Sequence, residues 1–147
     1  MKTLRTWKKV FETDLEYIVT ELKSVIQAPA VLLLTGPVGA GKTTFSKAFF
    51  KAPGIKVNSP TYAVINEVGD GAHADFYRLK SPQELIHLEL ALYLEEKNYF
   101  LIEWGHEYLT AIKKELTENH HLYELVISLA ENEEETKIRD YLLRELD

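Results

Sequence analysis

Leu15, Ile18, Val19, Leu22, Val25 and Ile26 recur three and four residues apart on a polar background, the stripe of an amphipathic helix. Thr13 with Glu16 three residues on predicts a capping box at its start, and Ala28-Pro29 predicts its end. Val31-Leu32-Leu33-Leu34 is an unbroken apolar run, the pattern of a short strand buried on both faces. A glycine-rich loop follows, and residues 42–50 read as a helix stopped by Pro53-Gly54. β-compatible runs at 62–68 and 72–77 flank Gly69-Asp70-Gly71 and predict a hairpin. Period-two alternation puts His73, Asp75 and Tyr77 on one face of it, read as its wet face.

Ser81-Pro82-Gln83-Glu84 opens another helix, with a serine cap, proline in the first turn and glutamate three residues on. Tyr99-Phe100-Leu101-Ile102 is a second buried strand, closed by Glu103-Trp104. Tyr123, Leu125, Ile127 and Leu129 alternate with Glu124, Val126 and Ser128, which predicts a strand with one less apolar face. A helix from about Glu133 closes the chain. Helices alternating with apolar strands, and one inserted hairpin, predict a three-layer α/β domain of the P-loop NTPase type with a mixed sheet, formed by residues 1–147 as one domain. The loop after the first buried strand then lies at the carboxyl edge of that sheet, where such folds bind ligands.

That loop, Gly36-Pro37-Val38-Gly39-Ala40-Gly41-Lys42-Thr43, satisfies G-x-x-x-x-G-K-[ST]. Glycines let successive N–H groups turn inward toward phosphate oxygens, and the next helix adds its N-terminal dipole. The reading assigns nucleotide contacts to Gly36, Gly39, Ala40, Gly41, Lys42, Thr43 and Thr44. Lys42 reaches the β- and γ-phosphates of ATP, and the Thr43 hydroxyl ligates Mg²⁺. Such chemistry also needs carboxylates. Glu103, at the tip of a buried strand, is the candidate for the metal shell. Asp75, at the hairpin end, is either a second metal contact or the group that positions water. Of the five histidines, His120 and His121 are read as solvated, His87 as structural, and His106 as a neighbour of the site.

The formal net charge is -6 and there are no cysteines. The charge argues against a broad basic surface gripping nucleic acid unaided. The lack of thiols excludes disulfides, thiol nucleophiles and thiolate metal sites. No segment has the apolar length of a membrane span, so cytoplasm is the expected compartment and no membrane is expected as a partner. The acidic run Glu131-Asn132-Glu133-Glu134-Glu135 reads as a solvated helix start. Arginine occurs only at 5, 78, 139 and 144. A small-molecule kinase, the alternative, clamps phosphates with several arginines. A nucleotide-dependent binding module is a third reading.

Taken together, the loop at 36–43, Ser59-Pro60-Thr61-Tyr62, His73-Ala74-Asp75-Phe76-Tyr77-Arg78-Leu79 and Ile102-Glu103-Trp104, in this order and spacing, resemble the bacterial TsaE (YjeE) family. The resemblance spans roughly residues 31–104. It implies a weak ATPase that binds ATP and Mg²⁺ and acts with the TsaB–TsaD pair, which transfers a threonylcarbamoyl group to an adenosine beside the anticodon. tRNA is then met only through that complex. It implies that Lys42 and Thr43 touch nucleotide and metal, that Asp75 and Glu103 are the acidic pair, that 59–61 form a switch-like segment, and that Trp104 edges the site. The chain departs from the family pattern at Pro37, at Tyr62, and in Trp104-Gly105-His106-Glu107, where a glutamate is shifted by one.

Overall fold

In a computed structural model, residues 2–51, 64–130 and 138–146 are described. The two short apolar runs are strands β2 (Ala30–Thr35) and β5 (Tyr99–Glu103), paired in parallel with Leu34 opposite Glu103. β6 (His121–Leu129) flanks β2 on the other side, and β4 (Gly71–Asp75) flanks β5, both in parallel. β3 (Ile65–Val68) closes one edge antiparallel to β4. At the other edge, β7 (Ile138–Glu145) and β1 (Lys2–Phe11) add antiparallel, giving a seven-stranded mixed sheet in the order β1-β7-β6-β2-β5-β4-β3.

Two cores cover the sheet's two faces, because each central strand sends alternate residues to each side. Leu32, Leu34, Leu101, Leu125 and Ile127 pack under α1 (Leu15–Val25) and α2 (Lys42–Phe49). Val31, Leu33, Ala74, Phe100 and Ile102 pack under α3 (Pro82–His87), α4 (Leu90–Glu96) and α5 (Leu109–Glu115). The three-layer α/β fold with its hairpin is therefore as the pattern predicts. Burying each leucine-sized side chain contributes about 1.5–3 kcal/mol.

Three local expectations change, and β1 is an element the pattern does not predict. The closing helix is a strand over the residues described: Tyr141 and Leu143 face inward and are buried. Pairing with both β1 and β6 satisfies the β7 backbone, and that context overrides the helix propensity of its leucines. β1 carries no legible alternation because register shifts interrupt it, one between Trp7 and Val10. Both of those residues thus turn inward although three positions apart. At that bulge Lys9 adopts a φ of 52°, and its N–H donates to Asp140 Oδ1 at 2.9 Å.

At the first helix, Asp14 replaces the expected Thr13–Glu16 box, its carboxylate accepting from the Phe11 N–H at 3.1 Å. The helix after Ser81 is broken in two at Glu89, which has a φ of 54°. Ser81 makes no side-chain cap, and Glu84 instead accepts from the Lys80 N–H at 2.6 Å. The acidic run at 131–135 lies outside the described residues. Among the described residues no helix is long and apolar enough to cross a membrane.

Candidate nucleotide site

The glycine-rich loop leaves β2 at its carboxyl end and enters α2 at Lys42. Gly39 and Gly41 have φ of 82° and 103°, values that favour glycine. Gly36 is demanded by crowding: a Cβ there would meet the Ile127 carbonyl oxygen at 2.5 Å. The loop is braced from within by the Ala40 N–H, which donates to the Pro37 carbonyl at 3.0 Å. From behind it is braced by Arg139, which donates to the Ala40 carbonyl at 2.8 Å and the Gly39 carbonyl at 3.1 Å.

Lys42 is buried and donates to the Gly36 and Pro37 carbonyls at 2.5 and 3.1 Å. Its ammonium lies 4.0 Å from the Trp104 ring centroid, a cation–π distance. Burial holds its pKa below the ordinary lysine value, opposed by the nearby charges of Glu103 and Asp75.

The parallel register brings the two acids level, Asp75 opposite Glu103. Glu103 shares a strand face with Leu101, which packs under α2, so its side chain meets the first turn of that helix. The Thr43 hydroxyl donates to the Glu103 carboxylate, at 3.0 Å from Oε1 and 3.1 Å from Oε2. His73 Nε2 reaches Oε2 of the same carboxylate at 2.5 Å. Asp75 is half-buried; its Oδ1 accepts from the Tyr77 N–H at 3.1 Å, and Arg78 Nε lies 3.8 Å from Oδ2. Trp104 adopts a φ of 61° and packs on Tyr77, with ring centroids 5.2 Å apart.

Of the predicted site residues, Gly39, Gly41, Lys42, Thr43, Thr44, Asp75, Glu103 and Trp104 line one cleft of about 500 Å³, joined by Val38 and Tyr77. Gly36 and Ala40 stand behind it, the Ala40 methyl in the core. The segment 59–61 lies outside the described residues. Hard oxygens converge at Thr43 and Glu103, beside a loop whose glycines take the conformations of a phosphate cradle. This donor set fits Mg²⁺, and the loop fits the phosphates of a nucleotide.

Sequence reasoning missed His73, which it placed on a wet face. β4 lies between β3 and β5, and His73 is completely buried. The available signal was a polar residue between two alanines in a strand. Arg139 had no signal once its segment was read as helical. Glu124, on the less apolar face of β6, is also fully buried. It is held by Thr35 Oγ1 at 2.7 Å, by Arg144 Nε at 2.6 Å, and by His106 Nδ1 at 3.4 Å. His106, exposed, borders a separate cavity of about 190 Å³ together with Thr35, Gly36 and Trp104. His87 is exposed at the end of α3.

A model of the family described as "Threonylcarbamoyl adenosine biosynthesis protein TsaE" matches residues 11–139. The chain belongs to the TsaE family. Within that family it is 38% identical to the tRNA threonylcarbamoyladenosine biosynthesis protein TsaE of Bacillus subtilis over 112 residues, 72% of this chain and 69% of that one. It is 37% identical to the Nostoc protein of the same name, over 63% of this chain and 62% of that one. The crystal structure of Bacillus subtilis YdiB superposes with a TM-score of 0.63 at 26% identity, covering all of this chain and 88% of that one. The TsaE match contains the whole cleft, from Val38 to Trp104.

Proposed function

We propose that this TsaE-family chain binds ATP with Mg²⁺ in the cleft and hydrolyses it in support of threonylcarbamoyladenosine modification of tRNA, in the cytoplasm and together with a TsaB–TsaD pair. The observation that carries the reading is the meeting of the Thr43 hydroxyl with the Glu103 carboxylate, 60 positions apart in the chain, at the start of the helix that follows the glycine loop. The loop amides and Lys42 would hold the phosphates, with Lys42 exchanging two carbonyl oxygens for phosphate oxygens. Thr43 and Glu103 would hold Mg²⁺, which when bound offsets phosphate charge. Asp75, in register with Glu103 at the carboxyl ends of β4 and β5, would orient water. Trp104 and Tyr77 wall the mouth of the cleft and limit solvent.

The arginines weigh against a small-molecule kinase. Arg5 is bound to Glu21, Arg139 to the back of the loop, and Arg144 to Glu124. Arg78 contacts Asp75 at the cleft's margin. A site with so few phosphate-facing arginines is a slow ATPase that a partner completes, because supplying an arginine finger raises such rates by about 10³–10⁵-fold.

The test is phosphate release by the chain alone, then with its own TsaB and TsaD added. Slow turnover alone and stimulation by the pair are expected, with Lys42→Ala folded but unable to bind nucleotide. Fast turnover that the pair leaves unchanged would reject partner completion. Unaltered nucleotide binding in folded Lys42→Ala would reject the site.

A further inference from the structure

His73 is completely buried, and its Nδ1 is a buried side-chain atom without a hydrogen-bond partner among the described residues. An unsatisfied polar atom in a core is costly, and a strand flanked by alanines would accept an apolar residue there without that cost. The other ring nitrogen accounts for the histidine. It lies 2.5 Å from Glu103 Oε2. An ionised carboxylate only accepts, so this contact needs the proton on Nε2, and the imidazole donates. Thr43 donates to the same carboxylate from the cleft side, so Glu103 is gripped from the core by one group and from the loop by another.

We propose that His73 is a positioning residue, which locks the Glu103 carboxylate in the orientation that receives the divalent cation beside Thr43. The inference rests on the Mg²⁺-nucleotide reading of the cleft. The physical reason is the strictness of the cation: Mg²⁺ demands near-octahedral geometry at short distances, and a carboxylate free to turn about its last torsion meets that demand only part of the time. Groups behind a metal ligand commonly change metal affinity by about 10–100-fold.

The experiment uses the whole chain with the non-hydrolysable β,γ-imido analogue of ATP and Mn²⁺, whose free fraction is read by electron paramagnetic resonance. His73→Leu removes the donor. His73→Gln returns an amide nitrogen near the position of Nε2, and His73→Asn carries one too short to reach Glu103. Affinity for the analogue in EDTA reports the phosphate loop, and the urea midpoint reports the fold. Leu and Asn are expected to weaken Mn²⁺ binding about 10–100-fold with little change in metal-free analogue affinity, and Gln to restore most of the loss. ATP hydrolysis by Leu or Asn is expected to recover as Mg²⁺ is raised, which a merely structural defect would not do. Should His73→Leu prove unfolded, the contrast between Asn and Gln decides alone.

Wild-type Mn²⁺ affinity in the folded Leu or Asn variant overturns the inference and leaves the nucleotide site standing. A wild-type chain that binds the analogue but takes up no Mn²⁺ overturns the metal reading, and this inference with it.

Discussion

Arg139, on the last strand of the sheet, donates Nε to the Ala40 carbonyl at 2.8 Å, joining two residues 99 positions apart. Its Nη2 takes the Gly39 carbonyl at 3.1 Å. A guanidinium behind two successive carbonyls fixes those peptide planes and polarises the loop toward the cleft. Arg139→Met is therefore expected to weaken ADP binding several-fold, and Arg139→Lys to recover only part of it, since an ammonium cannot match the planar fork. The stability cost is about 1.5 kcal/mol, at the low end for hydrogen bonds to charged groups because Arg139 is half-exposed. Titration calorimetry and urea unfolding measure the two effects; unchanged ADP affinity in Arg139→Met would show the clamp to be incidental.

Gly36 tests the loop's packing directly. In Gly36→Ala the new methyl meets backbone, the Ile127 carbonyl at 2.5 Å, and then the Ala40 Cβ at 3.0 Å. Neither is the far end of a flexible side chain, so the loop root must move. Overpacking of this kind costs about 1–3 kcal/mol. Nucleotide binding should fall with it, whereas Val38→Ala, at an exposed position of the loop, should leave stability unchanged. Equal urea midpoints for Gly36→Ala and the parent chain would contradict the argument.

The two acids are expected to separate binding from turnover. Glu103→Gln keeps the shape and removes the charge facing Thr43; Asp75→Asn does the same one strand away. Each should depress hydrolysis by about ten-fold or more while ADP affinity in EDTA stays within about three-fold, since on the proposed reading the phosphates are held by the loop and Lys42. The Glu103 variant alone should raise the Mg²⁺ requirement. Equal losses of binding and turnover in both variants would show that the acids shape the loop rather than act in the reaction.

Tyr141 gives the fold an alkaline weakness. Burial, with a smaller push from Glu12 and an opposing pull from Arg139, raises its pKa to about 12 from the ordinary 10.0. The unfolded chain loses this proton first, so stability is complete below pH 10 and falls as pH rises from there toward 12, by up to about 3 kcal/mol. Unfolding free energy measured at pH 9 and pH 11 should therefore drop further for the parent than for Tyr141→Phe. Parallel losses would place Tyr141 in a solvated setting.

The alternation and run lengths along the chain were enough to read the central strands β2, β4, β5 and β6, the helix α1 and the acid at the tip of β5, and the G-x-x-x-x-G-K-[ST] motif was enough to read the glycine-rich loop between β2 and α2. These are local facts: a strand buried on both faces is apolar at most positions, and a loop that cradles phosphates needs glycines at set places. β1 and β7 were not legible. Bulges in β1 put Trp7 and Val10 on the same side three residues apart, and β7 has a composition that becomes strand only when β1 and β6 supply hydrogen-bond partners. The pairing order decided the rest of the site. His73 and Glu124 look like solvated positions in isolation; they are buried because each turns to a covered face of the sheet, in register with a buried leucine, Leu101 for His73 and Leu33 for Glu124. The Arg139 clamp and the His73–Glu103 contact join segments that only this order of strands brings together, and no spacing along the chain encodes them.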